Sequence, residues 1–144
     1  MKKPAGVVLL LLAANLAFAA EQTARAFADS ISGLLFAADS SAIYDYYLPS
    51  QRAKVIQVQS DQGFTSSVRS IFGSVETMSY MRTDRGVLPL DDRFIAVETV
   101  WYRVTSSKHP EGFLLRLDIT NQDGRNYLVK SELQGPAAPR TRWL

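Results

Sequence analysis

"FTSSVRSIFGSVETMSYMRT", residues 64–83, changes character in its middle. Before Gly73, the apolar residues Phe64, Val68, Ile71 and Phe72 fall at helical spacing, with Ser60 as a candidate cap and Gly73 as a left-handed stop. After Gly73, valine, threonine and aromatic residues dominate and the period drops from about 3.6 to 2. One chain therefore carries helices first and strands last.

Upstream, Ala24, Phe27, Ala28, Ile31, Leu34, Leu35 and Ala38 make an apolar stripe that predicts a helix over 22–38. Asp39, Ser40 or Ser41 then offers an N-cap for a second, short helix with Ile43, Tyr46 and Tyr47 on one face. Pro49 restricts the residue before it, so that helix ends near Tyr47, and Ser50 caps one or two further turns through Val58.

Downstream, four strands are expected. Val75–Thr83 runs into the turn signal "DRG". Arg93–Ser106 places Phe94, Ala96, Val100, Tyr102 and Val104 on one face, and Ile95, Val97, Trp101 and Arg103 on the other. "SKHPEG" leads into Gly112–Thr120, and "NQDG" makes a second hairpin into Tyr127–Leu133. The fold class is α+β: N-terminal helices packed on a curved four-stranded antiparallel meander sheet. Arg93–Ser106 is apolar on both faces, so its outer face needs a cover, from the C-terminal tail "GPAAPRTRWL" or from a second copy of the chain in a homodimer.

The N-terminus reads as an address. Met1-Lys2-Lys3 is basic, Ala5–Ala14 is apolar throughout, and Ala17 and Ala19 sit at the small positions of an A-x-A cleavage site. Residues 1–19 are expected to be a signal peptide, 20–134 a single α+β domain, and 135–144 a flexible C-terminal tail. The apolar run is shorter than the roughly 20 residues of a membrane span. Losing Lys2 and Lys3 would bring Lys+Arg down to the same 14 as Asp+Glu, so the basic pI is no nucleic-acid signal. The chain has no cysteine, so an exported domain of about 125 residues must rely on one packed core. The expected location is the periplasm, or secretion, in a Gram-negative bacterium.

Two stretches carry a resemblance. "ARAFADSISGLLFAADSSAIYDYYLPSQR" resembles the opening of the nuclear-transport-factor-2-like, cystatin-like superfamily: a helix, a polar break, and a second helix closing on proline. "DGRNYLVKSEL" resembles the family's last strand, with Asn126 where a tryptophan is common and Tyr127 after it. The resemblance implies a helix-to-sheet cone with a pocket. Members include isomerases, dehydratases and ligand-binding modules, so the fold selects no function.

The candidate ligand-binding residues are Tyr44, Tyr47, Glu98 and Tyr102. In such a cone, Tyr44 and Tyr47 can donate hydrogen bonds to a ligand, with Asp45 as proton acceptor. The competing reading has Tyr46 and Tyr47 burying their rings against the sheet with wet hydroxyls, and helical spacing favours it. Glu98 interrupts an apolar face, where a charge is costly unless paired. It is either an acid or base in a pocket, the partner of an arginine such as Arg116, or a rim residue. Glu98 and Asp45 are the catalytic candidates. His109, the one histidine, precedes Pro110 in a loop and is expected to be solvated. No metal set is expected with one histidine and no cysteine, no cofactor motif occurs, and the Asp91-Asp92 pair reads as a turn.

Three functions remain open, in this order. The first is a non-catalytic periplasmic binding or protein-interaction module for a small apolar ligand or a protein partner. The second is a small isomerase- or dehydratase-like enzyme with a carboxylate base, and the third a toxin-immunity protein. Neither nucleic acid nor a membrane span is expected.

Overall fold

A computed structural model describes residues 22–37, 41–61, 70–135 and 142–143. The leader, the caps at Asp39, Ser40 and Ser60, and the Phe64–Val68 stripe lie outside the described residues or their described side chains.

The first helix, α1 (Ala24–Ile31), is capped by Thr23, whose side chain accepts from the Ala26 amide at 3.0 Å. It is shorter than the apolar stripe. From Ser32 to Phe36 the chain tightens into a 3-10 helix. The sequence Ser30-Ile31-Ser32-Gly33 explains this: serine and glycine are weak helix formers, and Ser30 Oγ donates back to the Phe27 carbonyl at 2.6 Å.

A second 3-10 helix, Ser41–Tyr46, stops before Pro49 as expected. Pro49 then opens α2 (Pro49–Asp61), the first-turn position where a missing N–H costs nothing. Between them the Leu48 amide donates to the Leu128 carbonyl at 2.9 Å, so this junction joins the sheet.

The strands are β1 (Val75–Leu90), β2 (Arg93–Ser106), β3 (Phe113–Gln122), β4 (Arg125–Gln134) and the two-residue β5 (Arg142–Trp143), antiparallel in sequence order. The α+β class with four long antiparallel strands is as the sequence predicts. β5 lies within the stretch expected to be a tail, and its Trp143 pairs with Ser131.

The first strand corrects the sequence reading. β1 does not turn at "DRG" but runs on to Leu90, with Gly86 paired to Val97 and Pro89 to Phe94. The turn is Asp91-Asp92, both at positive φ (45° and 60°), the geometry of a two-residue hairpin. Glycine and proline are tolerated because β1 is an edge strand, with no neighbour on its other side among the described residues. Asp123-Gly124, also at positive φ, closes β3 onto β4.

One buried cluster joins Phe27, Ala28 and Ile31 of α1 with Val100, Tyr102 and Val104 of β2 and Leu115, Leu117 and Ile119 of β3. Ile31 is completely buried, and cutting it to alanine would cost about 3 kcal/mol. A second cluster on the opposite sheet face unites Ile95, Val97 and Val129 with Leu88 and Leu90. Ile95 and Val97, expected to be covered by the tail or by a second subunit, are buried in the single chain. Phe94 and Ala96, on the face that the alternation had put in the core, are exposed.

Candidate functional site

The outer halves of β1 and β2 form an arm, and one of its faces is open. Three cross-strand pairs follow each other along that face: Arg85 with Glu98, Val87 with Ala96, and Pro89 with Phe94. Phe94 is 75% exposed and Val87 63% exposed.

Where the arm meets α1 lies a groove of about 790 Å³, lined by residues that include Gln22, Thr23, Arg85, Glu98, Asn121 and Asn126. Asn121 donates its amide to Asn126 Oδ1 at 3.0 Å, and Asn126 donates to the Gln22 carbonyl at 2.6 Å. Asn126 therefore ties the chain ahead of α1 to the sheet, and so builds the groove's wall.

Glu98 stands in this groove, half-buried, 3.6 Å from the guanidinium of Arg85. Arg85 itself is nearly fully exposed, so the pair is weak and screened. Arg116, the partner expected from the sequence, instead bonds Asp118 at 3.1 Å. Among the described residues lining the groove there is no tyrosine.

The other candidates lie elsewhere. Tyr102 is buried, and its hydroxyl donates to Asp29 on α1. Burial first, and then the Asp29 bond, hold its phenol well above the usual tyrosine range. Its ring meets Tyr80 edge-on, and the Arg25 guanidinium lies 3.8 Å above Tyr80. Tyr102 thus locks α1 to the sheet. Tyr47 is completely buried, with its hydroxyl 3.0 Å from Ser131 Oγ. Tyr46 is 40% exposed, edge-on to Phe27. The hydroxyl of Tyr47 is therefore bonded rather than wet, and Tyr46 is the less buried of the pair. Tyr44 is half-buried against the core and Asp45 is exposed. Arg52 donates to both of their carbonyls, at 3.1 and 3.0 Å, and so braces the 3-10 helix.

His109 also departs from expectation. Its ring packs on Phe72 and Phe113, with one nitrogen 3.2 Å from Glu111 and the other 3.1 Å from the Ile71 carbonyl. It is a clamp between a loop and the helical turn at 70–72, not a solvated side chain. Beside it, Glu111 titrates below the usual carboxylate range, first through its own backbone N–H and then through His109.

Comparison with protein-family models, curated proteins and solved structures gives no match. The functional reading therefore rests on this geometry. Among the described residues, no group of three or more metal-ligating side chains is assembled, and no helix is long and apolar enough to cross a membrane.

Glu98 has the Arg85 guanidinium within reach, and no tyrosine is among the described residues lining its groove. Sequence reasoning missed Asn121, Asn126 and Gln22. Of the three, only Asn126 drew notice in the sequence, as a departure from the final-strand pattern that the chain resembles.

Proposed function

We propose that this chain is an exported, non-catalytic interaction module whose groove and open arm face take an extended segment with apolar and charged residues. The observation that carries the reading is Phe94, 75% exposed beside Val87 on the face that continues the groove. Contiguous exposed apolar surface with a charged rim is typical of interaction sites. Arg85 and Glu98 supply one charge of each sign at the groove end.

The fold that goes with this role is a nuclear-transport-factor-2-like cone, its helices on the concave face of a curved sheet, delivered to the periplasm by the leader. The shared cluster of α1, β2 and β3 supports it. A second copy of the chain remains a candidate partner, now through the Phe94 face rather than the Ile95 face. An immunity protein would be a specialised form of the same module. The isomerase or dehydratase reading ranks lower because no tyrosine accompanies Glu98 in the groove.

The test is selection of a random peptide library on mature protein, followed by binding to Phe94→Ser. Enriched peptides should pair apolar with charged residues and lose affinity about tenfold or more for the variant, whose melting temperature stays unchanged because the ring is already in water. Peptides that bind Phe94→Ser as tightly as the parent would refute the groove.

A further inference from the structure

The opposite sheet face carries two lateral rows in register. Arg82 of β1 pairs with Trp101 of β2, Trp101 with Arg116 of β3, and Arg116 with Glu132 of β4. The neighbouring row runs Asp84, Thr99, Asp118 and Lys130. Each arginine commits its Nε to the acidic row: Arg82 to Asp84 Oδ2 at 3.0 Å and Arg116 to Asp118 Oδ1 at 3.1 Å. Both guanidiniums lie over Trp101, at 4.9 and 5.6 Å from its ring centre. Trp101 in turn donates to Asp84 Oδ2 at 3.1 Å. Among the described residues, the terminal nitrogens of Arg116 have no protein acceptor.

Beside this row is a cleft of about 220 Å³, lined by residues that include Asp84, Gly86, Leu88, Val97, Trp101 and Arg116. Its floor is Gly86. That glycine is not at positive φ, and a Cβ built on it meets nothing within 4 Å. The backbone does not require glycine there; the missing side chain leaves the space open. One end of the cleft is the Arg116 fork, and the other is apolar, with Leu88 and Val97. One oxygen of Asp84, Oδ2, accepts from both Arg82 and Trp101.

We infer that this cleft binds a small monocarboxylate with a compact apolar body. The carboxylate accepts from the terminal nitrogens of Arg116, a planar fork that matches two oxygens at once. The apolar body lies over Gly86 against Leu88 and Val97. The volume is below the roughly 300–1,000 Å³ of pockets for drug-sized ligands, which restricts the ligand to a short branched or aromatic acid. The cleft shares Arg85, Gly86 and Val97 with the lining of the groove, but Leu88, Trp101 and Arg116 place its binding groups on the face of the sheet opposite Phe94.

The experiment is calorimetric titration of the mature protein with benzoate and with isovalerate, alongside inorganic phosphate and benzylamine. At least one carboxylate should saturate below about 10 mM, and phosphate and benzylamine should not. Gly86→Val fills the cleft with a residue that suits a strand, so it should keep the melting temperature and weaken carboxylate binding about tenfold or more. Arg116→Lys, which keeps the charge but loses the fork, should also weaken it. Absence of saturation with both carboxylates, equal binding of phosphate, or full binding by Gly86→Val would each overturn the site.

Discussion

Tyr102 on β2 donates its phenolic hydrogen to Asp29 on α1, 73 residues earlier in the chain. Asp29 also faces Arg25, one helical turn before it, at 3.7 Å. A single hydroxyl therefore couples the first helix to the centre of the sheet.

Replacing Tyr102 with phenylalanine should cost about 1 kcal/mol at neutral pH, the usual net worth of such a bond. The same bond sets an alkaline limit. The phenol's folded pKa is raised, so its stabilisation is complete below the unfolded tyrosine value of about 10 and declines as pH rises beyond it. Melting temperature should fall in alkali less steeply for Tyr102→Phe than for the parent. Parallel slopes would show that Tyr102 is not the group responsible.

Asp118 should be the most sensitive acidic position. It is completely buried on β3, and its Oδ1 accepts from Thr99 and Arg116 while Oδ2 has no partner. Asp118→Ala strands two donors and should cost about 3 kcal/mol. Asp118→Asn keeps an oxygen for both donors and should cost less. Urea unfolding of both variants checks the order, which reverses if the carboxylate is dispensable.

Glu98→Gln should change stability by no more than about 0.5 kcal/mol, because its partner Arg85 is almost wholly in solvent. A thermal melt decides it. A loss above about 2 kcal/mol would mean that Glu98 has a buried partner.

Gly73 ends the turn at 70–72 with φ of 70°, and an added Cβ would lie 2.2 Å from Ser107 Oγ. Ser107 Oγ is itself held by the Ser74 amide at 3.0 Å, so it is not free to move aside. Gly73→Ala should destabilise by about 1–2 kcal/mol, measured by chemical denaturation. A neutral result would mean that the backbone relaxes out of the left-handed region.

Much of the candidate site was hidden in the sequence for a definite reason. Alternation along β2 correctly divides Phe94, Ala96, Glu98, Val100 and Tyr102 from Ile95 and Val97. It says nothing about which part of each face another element covers. Glu98 looked anomalous because the whole face was taken as core, although coverage has already lapsed at its position. The "DRG" signal misled because glycine and proline break strands only where both edges must pair, and β1 has a free edge. Arg116 of the cleft and its partner Asp118 are two residues apart on β3, and nothing local distinguishes them from ordinary surface charges.

The sequence alone determined the α+β class, the switch from helical to strand period at Gly73, and the hairpin at Asp123-Gly124. These follow from side-chain periodicity and from residues that accept positive φ, both local properties. Tertiary structure alone decided that Val100, Tyr102 and Val104 are buried while Phe94 and Ala96 of the same face are exposed. The reason is length. The eight residues of α1 span about 12 Å, whereas the fourteen of β2 span about 46 Å, so one helix cannot cover the whole strand. The uncovered remainder of that face is the open side of the arm, where the groove is found.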